Sequence, residues 1–176
     1  MGRLVLVPVG ETEAPFLDAL EARIVPGLPV EPVVRGECLD SDAFHDSARN
    51  QVHSTALLGA LSGLAPARGD RVLGVATRDL FIPILTFVFG EAELGGCAAV
   101  FSTARLDPAF YGLPSDPGLI LDRAVKEARH ELGHTFGLIH CRDMDCVMRA
   151  STDVGEVDVK SAGFCRECRR QLRRSS

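Results

Sequence analysis

The stretch HELGHTFGLIHC, residues 130–141, sets His130 and His134 four positions apart, puts Glu131 beside the first, and follows with Gly137 and His140. On a helix, positions i and i+4 share a face, so the two imidazoles can bind one metal ion. Glu131 need not bind it. A carboxylate at that position can take a proton from a metal-bound water and hand it to a leaving amine. Coordination brings the pKa of such a water to about 7, which makes it a nucleophile near neutrality. A glycine at position 137 can take positive φ, end the helix and turn the chain. That turn would return His140 as a third ligand and leave the fourth position to water. Leu132 and Phe136 give the same helix an apolar face.

Cys141, Cys146, Cys165 and Cys168 are four of six cysteines and lie in the last 36 residues, spaced C-x4-C and C-x2-C. Four thiolates so spaced suit a structural tetrahedral zinc. An iron–sulfur cluster uses the same ligands, and spacing does not separate the two. Disulfides would need an oxidising compartment, and a thioredoxin-like pair at Cys165 and Cys168 lacks its βαβ context. Cys141 adjoins His140, but a fourth protein ligand there would close the histidine site, so Cys141 is assigned to the cysteine cluster. The adjacency suggests that the structural metal fixes the turn delivering His140. Met148, eight residues past His140, can pack its thioether beneath the ligands, with Met144 as the alternative.

The combination HExxHxxGxxHC-x4-C-x-M…C-x2-C resembles the archaemetzincins, a branch of the metzincin clan of zinc metalloproteases. The run DLFIPILTFVFGEAELGGCAAVFSTARL, residues 79–106, is similar to that family's approach to its active-site helix, and the resemblance spans roughly residues 70–168. The interval from Met148 to Cys165 is slightly shorter than the family's, a loop difference that leaves the ligands in place. The resemblance implies a catalytic zinc on His130, His134 and His140, with Glu131 as general base. It implies a structural zinc on Cys141, Cys146, Cys165 and Cys168, hence two Zn²⁺ per chain, and Met148 as the Met-turn residue. The implied fold is α/β (α+β) and metzincin-like: a mixed twisted sheet with helices, an active-site helix and an irregular, zinc-stapled C-terminal lobe. Residues 1–176 would form one catalytic domain, with lobes 1–137 and 138–176 flanking a cleft. The implied activity is zinc-dependent hydrolysis of peptide bonds, of peptidase or aminopeptidase type, on a peptide or protein substrate. Two other classes compete. A zinc-containing binding or regulatory protein could keep every one of these residues with little peptidase activity. Metal-dependent RNA-processing hydrolases also set three histidines over a helix and turn, but lack a glutamate after the first.

Those side chains need elements to place them. Residues 4–9 read as a buried strand closed by Pro8 and Gly10, and residues 12–25 as a helix with Phe16, Leu17, Leu20 and Ile24 at helical spacing. Residues 30–34 read as a strand in which Pro32 argues for an edge position. Residues 47–64 carry Val52, Ala56, Leu57, Ala60, Leu61 and Leu64 as an amphipathic helix ended by Pro66 and Gly69. Strands are expected at residues 71–77, 85–90 and after the turn at Gly95 and Gly96. This order indicates an α/β sheet with at least one antiparallel member. Residues 107–118, with three prolines, form a loop, and residues 119–136 one long helix with Arg123, Lys126 and Arg129 on its solvent face. The FVFG segment, residues 87–90, is a candidate edge strand for an extended peptide to join, though Phe87 and Phe89 suit a core equally well. Tyr111, the only tyrosine, is a candidate for the cleft border. The last residues have too little apolar content for a core of their own.

The bulk properties exclude more than they assign. The net charge of -5 gives no general pull towards nucleic acid, and the five arginines of RECRRQLRRSS read as a solvated tail offsetting the thiolates. No apolar stretch approaches the roughly 20 residues needed to cross a bilayer. The N-terminal apolar run is short and lacks a cleavage site, and Leu6 breaks the myristoylation pattern. A cytoplasmic protein without a membrane partner is expected. Cys38 and Cys97 read as small buried hydrophobes, and His45 and His53 as surface or satisfied residues.

Overall fold

The computed structural model describes residues 2–174. Strand β1, Gly2–Val9, buries Leu4 and Leu6 on one face and Val5, Val7 and Val9 on the other, the pattern of a strand covered on both sides. Helix α1, Ala14–Ile24, has a proline in its first turn and buries Leu17, Leu20 and Ile24. Then come β2, Val30–Arg35; β3, His45–Asp46; β4, Gln51–His53; α2, Ser54–Ser62; β5, Arg71–Ala76; β6, Leu80–Phe81; β7, Gly90–Ala92; and β8, Ala98–Ser102. The chain continues as α3, Pro117–Thr135, and two short helices, α4, Val154–Val159, and α5, Arg166–Leu172.

Five strands form one sheet in the order β2-β1-β5-β8-β7, parallel except for β7, which runs antiparallel to β8. The lone antiparallel strand is therefore an edge, as is β2 with its Pro32. Strands β3, β4 and β6 make a separate small sheet. Helix α2 packs on the sheet face that buries Val5, Val7, Val72 and Val100. Helices α1 and α3 cover the other face, and their core continues without a break into Leu138, Val147, Met148, Val157, Phe164 and Leu172 of the C-terminal segment.

Four local expectations need correction. The helix expected over residues 47–64 begins only at Ser54, because residues 45–53 pair as β3 and β4, and β4 pairs in turn with β6. The His53 ring accepts from the Ala56 N–H and caps the helix there. The strand expected at residues 85–90 lies at Gly90–Ala92 instead. Phe89 is buried and stands edge-on to Phe87, with ring centroids 5.2 Å apart, so both rings serve the core.

The supposed solvent face of α3 is covered. Arg123 and Arg129 are buried, and Lys126 is half-buried. Arg123 makes two 2.7 Å bonds to the Asp158 carboxylate and donates to the Leu106 carbonyl. Arg129 donates to the Ile24 and Pro26 carbonyls and sits over the Phe164 ring. Lys126 donates to the Val157 and Asp158 carbonyls. Lys160 is buried with its Nζ 2.9 Å from Glu127 Oε1. The C-terminal lobe is thus fastened to α3 by cations as well as by apolar contact. Cys38 is exposed and Cys97 half-buried, so neither is the buried hydrophobe expected.

Candidate metal centres

Helix α3 opens with Asp116, whose carboxylate accepts from the Leu119 N–H, and carries Pro117 in its first turn. It stops at Thr135 because Gly137 takes φ 83°, and the Gly137 and Leu138 N–H groups turn back onto the His134 and Gly133 carbonyls. Arg71 at the head of β5 holds that end, donating to Thr135 Oγ1 and lying 4.5 Å over the Phe136 ring. The turn brings His140 to the two helix histidines. One nitrogen from each of His130, His134 and His140 lies within 4.8 Å of the others.

The hydrogen bonds fix the chemistry of two rings. His130 Nδ1 is 2.8 Å from the Val147 carbonyl and His134 Nδ1 is 2.7 Å from the Leu138 carbonyl. A carbonyl only accepts, so each Nδ1 carries the proton and each Nε2 presents a bare lone pair. Those two Nε2 atoms face each other at 3.1 Å. Two lone pairs held at that distance repel each other and are well placed to share a cation. Burial depresses the pKa of His130 well below its ordinary value, aided by the Lys160 charge, and burial lowers that of His134 too. Both shifts favour the neutral ring, with its proton on Nδ1 and Nε2 free to bind a cation. A tetrahedron of zinc–nitrogen bonds near 2.0–2.1 Å spaces its nitrogens by about 3.3 Å, so the pair fits zinc.

Glu131 is buried behind this cluster. Burial, and then the Glu127 carboxylate one turn back, raise its pKa well above the ordinary range, while Lys160 opposes them. A divalent cation at the histidines acts in the same sense as Lys160. The Glu131 carboxyl lies against β7 at Gly90, where an added Cβ would come within 2.7 Å of Glu131 Oε1. Gly90 is therefore needed for the side chain to stand there. Gly133, inside the HELGH run, has a matching role on the other side: a Cβ there would collide with Met148 Sδ. Met148 is buried against the helix beneath the histidines, whereas Met144 is exposed. A hollow of about 360 Å³ opens over the three histidines, Glu131, residues 90–92, Leu94 and Ile139.

The four cysteines also converge. Sγ atoms of Cys141 and Cys165 are 3.8 Å apart, and those of Cys146 and Cys168 3.7 Å. Zinc–sulfur bonds of about 2.3 Å in a tetrahedron separate sulfurs by about 3.8 Å, so this set fits a closed zinc site. All four are free thiols. Cys146 and Cys168 are buried, and burial raises both thiol pKa values. The clusters touch through the backbone. The Cys141 N–H donates to the Met148 carbonyl, and Val147, next to Cys146, supplies the carbonyl that orients His130.

The structure thus brings together every residue expected at the two sites. Tyr111 is the exception among the cleft candidates: it is exposed, outside the histidine hollow, and its hydroxyl donates to the Arg105 carbonyl. Sequence reasoning missed Gly90, Gly133, Glu127 and Lys160. Glu127 was legible as a carboxylate one helical turn before Glu131; Lys160 had no local signal.

Comparison with known proteins gives a consistent answer. The sequence profile of Peptidase family M54 matches residues 19–174. An archaemetzincin of Methanopyrus kandleri is 49% identical over 131 residues, covering 74% of this chain and 71% of the relative. One from Methanocaldococcus jannaschii is 39% identical over 170 residues, covering 97% and 92%. Among solved structures, an archaemetzincin of Archaeoglobus fulgidus complexed with malonate superposes with a TM-score of 0.81 at 34% identity, covering 96% of this chain and 99% of that one. A zinc-dependent peptidase of Methanocorpusculum labreanum superposes with a TM-score of 0.85 at 30% identity, again covering 96% and 99%.

Proposed function

The chain belongs to peptidase family M54, the archaemetzincins, which makes it a zinc-dependent metallopeptidase, and from that premise we propose which residues carry the activity. His130, His134 and His140 hold a catalytic zinc, and Cys141, Cys146, Cys165 and Cys168 hold a second, structural one. The observation that carries the first assignment is the pair of bare Nε2 atoms at 3.1 Å, each ring oriented by a backbone carbonyl. Zinc bound there supplies Lewis acidity to the scissile carbonyl and to the attacking water.

The chain's own groups do the rest. Glu131 is the general base: its carboxylate takes the proton of the attacking water and returns it to the leaving amine. Gly90 leaves it room to do so. The peptide adds to the free edge of β7. Ser102 N–H donates to the Phe89 carbonyl and Glu93 N–H to the Ala98 carbonyl, so odd-numbered residues bond β8. By ladder alternation the N–H and C=O of Gly90 and Ala92 face outwards and can receive an extended substrate. Met148, against Gly133, acts as the Met-turn floor under the histidines. The shared core supports reading residues 1–176 as one catalytic domain, with lobes 1–137 and 138–176 meeting at the cleft. No helix among the described residues is long and apolar enough to cross a membrane. The thiolate site needs reduced cysteines, which supports a cytoplasmic location.

Digestion of a peptide library by the zinc-loaded wild type and by Glu131→Ala tests the assignment. Loss of cleavage with two zinc ions retained is expected, and equal cleavage by both proteins would refute the role of Glu131. In the same series His134→Ala should lose one zinc and keep the other. Iron at the cysteines would overturn the structural-zinc assignment.

A further inference from the structure

The segment that runs into β7 lines three adjoining hollows. Residues 90–92 border the histidine hollow, and residues 85–89 border a groove whose opposite wall is Ser151 and Thr152. Thr86 also lines a larger pocket of about 650 Å³ beyond. Gly90 lies four positions past Thr86, a span of at most about 13 Å, or the reach of four extended peptide residues. The far pocket lies past the carboxyl ends of β5 and β8, where open α/β sheets commonly bind ligands.

Its lining is cationic. Arg49, Arg78 and Arg105 meet there with a single carboxylate, Asp79. Arg105 is the rigid member: it makes two 2.8 Å bonds to Asp79 and lies 3.8 Å over the Phe87 ring and 4.6 Å over that of Phe110. Arg49 is held by the Leu85 and Thr86 carbonyls and by Gln51, and no carboxylate pairs with it among the described residues. Among the described residues Arg78 pairs only with Asp42, and both side chains are exposed, so that ion pair is worth little and exchanges easily. One charge is thus uncompensated and a second is cheaply freed. Arg49 Nη1 and the exposed Arg78 guanidinium are the donors left to hold a carboxylate.

We propose that this pocket receives a carboxylate of the peptide substrate, either its C-terminus or an acidic side chain, about two to four residues beyond the scissile bond. The inference rests on the peptidase reading above. It also sets the direction of the substrate: a strand added antiparallel to β7, the more stable pairing, carries its C-terminal half towards Thr86.

The test uses one peptide in three forms: free C-terminus, C-terminal amide, and the amide with an internal glutamate three positions past the cleaved bond. Zinc-loaded wild type should cleave at least one carboxylate form with kcat/KM about tenfold above the plain amide, as expected for a charge-assisted hydrogen bond. A preference for the free terminus identifies an exopeptidase-like substrate, and one for the internal glutamate an endopeptidase-like one. In Arg49→Gln and in Arg78→Gln that ratio should fall towards one, while Arg23→Gln, on α1, keeps it. A wild-type ratio of one, or a ratio undiminished in the double variant, overturns the proposal. Absence of cleavage of all three peptides would count against the peptidase reading instead. The pocket is then judged by fluorescence anisotropy of the same labelled peptides on zinc-loaded Glu131→Ala protein, where equal affinity for acid and amide forms refutes it.

Discussion

Two of the three histidines stand on a 19-residue helix whose backbone bonds form without any ion. The four cysteines come from loops and from the first turn of a 7-residue helix too short to persist alone. At the histidines the fold comes first: the sheet, Arg71 and the Gly137 turn set the ligands, and one side stays open to the hollow. At the cysteines the four sulfurs lie within 4.8 Å of one another and the set closes on itself. An open site needs a scaffold, because bond strength is kept in reserve for substrate. A closed site can serve as scaffold for others.

The largest effect should come from removing the stapling thiolates. Replacing Cys165 and Cys168 by serine forfeits a structural-zinc binding energy of about 10–16 kcal/mol. The segment from Cys141 onwards should become sensitive to proteolysis, and the histidine site should bind zinc more weakly in competition with a chelator. Unchanged histidine-site affinity would show that the two regions are independent after all. A smaller loss is expected from the contact that joins them. Lys160→Met leaves the Glu127 carboxylate buried without its 2.9 Å partner, at a cost of about 3–5 kcal/mol in denaturant unfolding. Replacing both residues by apolar ones should recover most of that loss, and failure to recover it would mean that the ion pair itself is required.

The smallest effect belongs to the sheet alone. The Arg3 N–H and guanidinium beside Asp70 hold that carboxyl below its ordinary value of 3.8. Its contribution is therefore complete above that value and is lost as pH falls through the lower folded one. In metal-free protein, Asp70→Asn should flatten the acid limb of a melting-temperature profile between about pH 5 and pH 1. An unaltered limb would assign the acid sensitivity elsewhere.

The same contrast explains what could be read in the sequence. The central strands, α3 and the two clusters of histidines and cysteines were legible, because burial on two faces, helical spacing and paired cysteines leave periodic or spaced marks. The edge strand was misplaced because the strand facing Glu131 must be small there: GEA forms β7, whereas the apolar FVF run fills the core. The start of α2 was hidden by the pairing of β4 with β6, a contact between segments remote in sequence. Arg123, Lys126 and Arg129 read as solvent-facing because charge at helical spacing normally is. Here a lobe with few apolar residues covers them, and their side chains bond its carbonyls and Asp158 or cap α1.

His140 and Cys141 share a peptide bond, so under the proposed assignment the two ions would pull on one short piece of chain. Coupling of that kind is reciprocal: any factor by which the thiolate ion tightens the histidine site is the factor by which the histidine ion tightens the thiolates. Loading then proceeds in a fixed order as free zinc rises, with the closed site filling first and preparing the open one. The peptidase would then switch on at a lower zinc concentration than its open site alone would set, and chelation would silence it before the fold is lost.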